Sequence, residues 1–138
     1  MRRGTRVGFI EPDFRTPAAR LGHLEATGRP DVAPLRVWLS AINELYLARR
    51  LSPDVGATLG RAMESAGYRN VTVEWTEYPT DATVVENLVL LYDEIRDPLG
   101  ALGILTPAEV DEQQRLLRAL AQGELPAAWG MFVVAAEA

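Results

Sequence analysis

Residues 6–14 read RVGFIEPDF, and the fold turns on how this stretch is taken. Val7, Phe9 and Ile10 make a short β-prone run over residues 6–11, which Pro12 and Asp13 close as a turn. The strand stands within a few residues of the first methionine, with nothing ahead of it to pair with. Whether residues 1–14 begin a fold or enter one part-way is left open by their own pattern. Residues 6–11 hold no lysine or proline of the kind that blunts a strand edge, so an edge left unpaired there would invite another chain. Residues 14–33 carry Pro17, Gly22, Gly28 and Pro30, with Pro34 just beyond, and read as a long loop with one helical turn. Loops of that length in a compact domain are functional or disordered.

Beyond the loop the pattern turns helical. Leu35, Trp38, Leu39, Ile42, Leu45 and Tyr46 recur at three- and four-residue spacing. Ser52-Pro53-Asp54 opens a second helix with a cap residue, proline at the first helical position and an acid in the first turn. That helix points Val55, Leu59, Ala62, Met63 and Ala66 inward and stops at Gly67. In YRNVTVEWTEYP (68–79), Val71, Val73, Trp75 and Glu77 alternate, which predicts a strand. Asp81 caps a helix to about Arg96, with Val84, Val85, Leu88, Leu91, Tyr92 and Ile95 as its buried stripe; Pro98, Gly100 and Gly103 break it. TPAE at 106–109 is a capping box, and its helix runs to about Gly123, burying Val110, Leu116, Leu117 and Leu120. WGMFVVAAEA (129–138) is a continuous apolar run, read as a strand buried on both faces. The expected order is strand, helix, helix, strand, helix, helix, strand. That is α/β with few strands for its helices.

Composition narrows the function classes. A chain of 138 residues suits one domain, and 48% apolar with 24% charged residues is the balance of a soluble globular protein. No apolar run approaches the ~20 residues that span a bilayer, and the N-terminus lacks the apolar segment of a signal peptide, so no membrane partner is expected and a cytoplasmic location is the default. The absence of cysteine excludes disulfides, thiolate nucleophiles and Cys-ligated zinc, and a single histidine, His23, excludes a multi-histidine metal site; no metal is expected. A net charge of −5 argues against nucleic acid, which needs a clustered basic face. All 14 basic residues are arginine, a mark of a high-GC genome more than of a function.

Three segments, in order, resemble the C-terminal half of a class I, Rossmann-like S-adenosylmethionine-dependent methyltransferase. RRGTRVGFIEPDF (2–14) resembles that family's fifth strand and the acidic turn ending it. DVGATLGRAMESAGYRNVTVEW (54–75) resembles the following helix and the sixth strand, through Leu59, Gly60, Ala66, Gly67, Tyr68 and Val71. WGMFVVAAEA resembles the seventh strand, which in the family lies antiparallel between strands five and six. The resemblance covers essentially the whole chain as a single partial domain (1–138), with a helical insert at about 82–122. It does not extend to the family's donor-binding motif. The glycines at 4, 8, 22, 28, 56, 60, 67, 100, 103, 123 and 130 never form G-x-G, whereas a Gly-rich turn is what lets backbone approach such a ligand closely.

The resemblance implies one subunit of a split, heteromeric methyltransferase, inactive until a second chain supplies strands one to four and most of the S-adenosylmethionine site. The acceptor would be a small molecule, methylated on oxygen in secondary metabolism. Two alternatives stand beside it: a non-catalytic homodimeric binding or regulatory module derived from a methyltransferase, and a shortened gene product. Ligands of open α/β sheets sit outside the carboxyl ends of the strands. Glu11 or Asp13 is therefore expected to orient a substrate hydroxyl or amine, with Phe14 packed on its scaffold; the competing reading is a carboxylate closing its own turn. His23, in the loop, is the candidate general base for the acceptor proton. Arg15 and Arg20 are candidates for pairing an anionic substrate, and Trp38, Tyr46 and Tyr92 for an aromatic pocket wall, although helical spacing also suits Trp38 and Tyr46 to core packing. Asn43, Glu44, Arg49 and Arg50 read as solvated, and Trp129 as core or interface. Methyl transfer asks little covalent help of a protein, since positioning alone supplies much of the roughly 7–11 kcal/mol available from proximity.

Overall fold

RVGFIEPD forms strand β1 (Arg6–Asp13), two residues longer than its apolar run, with Pro12 inside the strand opposite Met131. A computed structural model describes residues 4–122 and 128–138. The remaining elements are α1 (Arg15–Ala26), a 3₁₀ turn (Pro30–Val32), α2 (Ala33–Ala48), α3 (Val55–Ser65), β2 (Arg69–Pro79), α4 (Ala82–Ala101), α5 (Pro107–Leu120) and β3 (Ala128–Glu137). The chain is mixed α/β, with one three-stranded sheet and five α-helices. The sheet order is β1-β3-β2, with β3 antiparallel to both neighbours, so that β1 and β2 run parallel on either side of it. Among the described residues the outer edges of β1 and β2 have no partner strand.

The segment expected as a loop is helix α1. Asp13 explains it: its Oδ1 accepts hydrogen bonds from the backbone N–H of Arg15 (3.0 Å) and Thr16 (3.1 Å), two of the donors that a helix start leaves free. Pro17 falls in the first turn, where a missing N–H costs nothing, and the chain leaves the helix through Gly28 at φ +105°. Two other boundaries move. α3 begins at Val55, two residues after Pro53, and Ser52 Oγ only accepts from the Asp54 N–H (3.2 Å). α4 runs through Pro98 to Ala101 and ends at Gly103, φ +68°. Asp81 caps α4 by accepting from the Val84 N–H (2.9 Å), and Thr106 and Glu109 close the capping box of α5. α5 ends at Leu120 with Ala121 as its C-cap, short of the end expected near Gly123.

Strand alternation puts Val7, Phe9, Glu11 and Asp13 of β1 on one face with Phe132, Val134 and Ala136 of β3 and Val73, Trp75 and Glu77 of β2. α3 lies on this face, and Met63, Val134 and Ala136 form a small core there. α3 buries Gly56, Gly60 and Met63 and packs Leu59 against the same core, as expected for Leu59 and Met63, whereas Ala62 and Ala66 are exposed, contrary to the predicted stripe. The two glycines let the helix backbone sit close on the strands. A Cβ on Gly56 would stand 2.6 Å from the Phe132 ring, and one on Gly60 would run into a Val73 methyl. Val73 is 48% exposed and free to rotate away. Gly60→Ala is therefore expected to cost only about 1 kcal/mol in a denaturant titration. Overpacking of about 1–3 kcal/mol is offset in part by alanine's helix preference of about 1 kcal/mol. An unchanged midpoint would mean that α3 does not pack this closely.

The opposite face of the sheet is only partly covered: Ile10 is 64% exposed, Ala135 is exposed, and Met131 and Val133 are half-buried. β3 is thus central but not buried on both faces. The Trp129 side chain lies outside the described residues. The larger core is helical. It joins Leu21 of α1, Leu35, Leu39 and Leu45 of α2, Val85, Val89 and Tyr92 of α4, and Val110 and Leu117 of α5. α4 and α5 are stitched by Gln114, whose amide donates to Val89 O (2.9 Å) and Asp93 Oδ1 (2.8 Å), and by Arg96, which pairs with Asp111 at 2.7 Å.

Candidate functional site

A cavity of about 540 Å³ lies between the helical core and the sheet. It opens at the carboxyl ends of the parallel strands, where Pro12 lies near the end of β1, Phe14 follows it and Tyr78 lies near the end of β2, with Gly130 and Met131 of β3 between them. α2 supplies the facing wall through Trp38, Ile42, Leu45 and Tyr46, and α4 a second through Val84, Leu88, Leu91 and Ile95. Its volume is within the ~300–1,000 Å³ range of small-molecule sites, and its walls are apolar with a few polar tips. The lining residues that carry those polar groups include Tyr46, Tyr78, Asn87 and Arg49.

Phe14 and Tyr46 come together here, as an edge-on ring pair 5.6 Å apart, and Phe14 also meets Trp38 at 6.4 Å. Such contacts hold rings in fixed orientations. Glu11 and Asp13 do not join them. Pro12 faces the cavity, so its two neighbours point to the α3 side of the sheet; Glu11 lies beneath Gly56. Asp13, only 6% exposed, is engaged three times over, because its Oδ2 also accepts from Trp75 Nε1–H at 2.9 Å. Burial pushes its pKa up, but the hydrogen bonds from Thr16, Trp75 and Arg15 outweigh burial and leave it below the ordinary 3.8.

The other expected residues are placed elsewhere. Arg15 pairs with Asp54, and Arg20 pairs with Glu77 and lies over the Trp75 ring, 5.7 Å from its centroid. His23 is not in a loop but in the last turn of α1, exposed, and does not line the cavity. Tyr92 belongs to the helical core and not to the cavity wall; its hydroxyl is buried with no hydrogen-bond partner among the described residues, and burial pushes its pKa up. No group of three or more His, Asp or Glu side chains among the described residues is placed to hold a metal ion. No described helix is long and apolar enough to cross a membrane.

Arg49, Tyr78 and Asn87 were not expected. Helical spacing held a signal for two of them: Arg49 stands one turn after Tyr46 on the Trp38–Ile42 face, and Asn87 one turn after Val84. Tyr78 faces opposite to Trp75 by simple alternation. No protein-family model matches the chain, and no curated protein matches it either. The cavity's chemistry has to be read from its own walls.

Proposed function

We propose that this chain supplies the acceptor-binding half of a small-molecule methyltransferase that uses S-adenosylmethionine, with the donor held by a second chain. The observation that carries the reading is an apolar cavity at the carboxyl ends of two parallel strands, where ligands of open α/β sheets sit. The order β1-β3-β2, with the middle strand reversed, agrees with what the sequence resemblance implies for strands five, seven and six. The open edge of β1, with Phe9 42% and Ile10 64% exposed beside it, offers a seam to a partner.

The cavity does not fit the donor itself. Among the described residues no carboxylate lines it to bind ribose hydroxyls, and the sequence has no G-x-G. The residues of this chain bind and orient an acceptor: Phe14 and Trp38 press on an apolar ring, and Tyr46, Tyr78 and Asn87 offer hydrogen bonds to its substituents. Oxygen methylation in the cytoplasm, in secondary metabolism, is part of the proposal.

Co-expression with chains that carry an acidic, Gly-rich strand–turn–helix tests it. The expected outcome is a stable heteromer that binds S-adenosylmethionine in a calorimetric titration, while neither chain binds it alone. A cooperatively melting monomer that recruits no such partner would overturn the split-enzyme reading. A stable homodimer without donor binding would instead favour a regulatory module joined through the same β1 edge.

A further inference from the structure

We infer that the cavity's ligand is a ring-bearing anion, held by Arg49 through a carboxylate or group of like geometry. This rests on the reading of the cavity as the acceptor site. Among the described residues Arg49, exposed at the end of α2, is the only charged residue that lines the cavity, and no acidic residue lines it. Arg6, Arg15, Arg20, Arg29, Arg36, Arg96, Arg115 and Arg118 each pair with a carboxylate of the chain. Arg49 makes no ion pair among the described residues; Arg50, Arg61 and Arg69 make none either, but none of these lines the cavity.

Arg49 has a conventional explanation to defeat, since it occupies the C-cap of α2, where a cation suits the helix dipole. Three of the last four carbonyls of that helix are already taken by the backbone. Leu45 O accepts from the Arg49 N–H (3.1 Å), Tyr46 O from the Leu51 N–H (2.8 Å) and Leu47 O from the Arg50 N–H (3.0 Å). The backbone thus caps most of this helix end without the guanidinium, whose planar fork is left for an anion. The position suits a ligand whose ring lies against Phe14 and Trp38 while its acid group reaches the end of α2. The chain's net charge of −5 repels anions at long range, so an anion is retained only by a local, directed pair.

The test titrates the full chain with 2-naphthoate and with the neutral 2-naphthalenemethanol in a calorimeter, for wild type, Arg49→Gln and Arg49→Lys. The wild type is expected to bind the acid at least about tenfold more tightly than the alcohol, the size of one charge-assisted hydrogen bond. Arg49→Gln should abolish that preference while binding the alcohol as before, and Arg49→Lys should restore only part of it. Equal affinity of the wild type for both probes, or a preference that survives in Arg49→Gln, overturns the assignment and leaves the cavity as a neutral-ligand site. Binding of neither probe overturns both the assignment and the acceptor-site reading. A failure of the partner complex to bind S-adenosylmethionine would leave the charge preference intact, so the two failures are separable.

Discussion

Asp13→Ala is expected to destabilise the chain by about 2–4 kcal/mol, measured as a shift in denaturant midpoint at unchanged slope. Two losses add. The start of α1 loses the carboxylate that accepts from the Arg15 and Thr16 N–H groups, worth about 0.5–2 kcal/mol for a helix cap. The partly buried Trp75 Nε1–H loses its acceptor, and an unsatisfied donor costs about 1–3 kcal/mol. Asp13→Asn keeps an acceptor oxygen and should cost less. The pH dependence separates the two variants. Because the folded pKa of Asp13 lies below the ordinary 3.8, its contribution is complete above that value and disappears as pH falls through the lower, folded one. Wild-type stability should therefore fall more steeply than that of Asp13→Asn as the solution is acidified below about pH 4. Parallel acid limbs would show that the carboxylate's charge contributes nothing.

Gly130→Ala is expected to cost about 2–3 kcal/mol, at the upper end of overpacking penalties. The indole of Trp75 leaves β2, crosses β3 over Gly130 and reaches Asp13 on β1, so one side chain spans all three strands. A Cβ at residue 130 would stand 2.5 Å from the indole nitrogen and 2.8 Å from two ring carbons. Val73 can swing aside from Gly60, but this ring is pinned. Its N–H is bonded to Asp13, and Arg20 lies over it. Relief requires breaking the Trp75–Asp13 hydrogen bond, so Gly130→Ala and Asp13→Ala should be strongly non-additive in a double-mutant cycle. Simple addition of the two costs would mean that the indole does not follow this path.

Much of the fold was legible in the sequence. Apolar spacing located α2, α4 and α5, alternation located β2, and the capping box at Thr106–Glu109 marked the start of α5. α1 was missed because Pro17, Gly22 and Gly28 count as breakers one at a time, whereas a proline in a first turn and a glycine after a last one are punctuation of a helix. The side chain that starts it, Asp13, was read as a possible ligand because a turn carboxylate shows its type but not its partners. The site was half legible. Phe14 and Tyr46 meet in the cavity, but Glu11 and Asp13 fall on the far face because Pro12 continues the strand and preserves its alternation. His23 and Arg15 were placed by proximity along the chain, and the helix carries them away from the cavity. Arg49 is solvent-exposed as expected, but no local pattern shows that it also borders the cavity or that it lacks a carboxylate partner among the described residues.

The path of the Trp75 indole also limits how the sequence can drift. Positions 13, 75 and 130 lie far apart along the chain but act as one unit of inheritance. A lineage that acquires a side chain at 130 must give up the indole at 75. Once it does, position 13 is needed only to start α1, and asparagine, serine or threonine would serve there as well as aspartate. Descendants of this chain should therefore carry Asp, Trp and Gly together, or lose the tryptophan first and the aspartate's necessity with it.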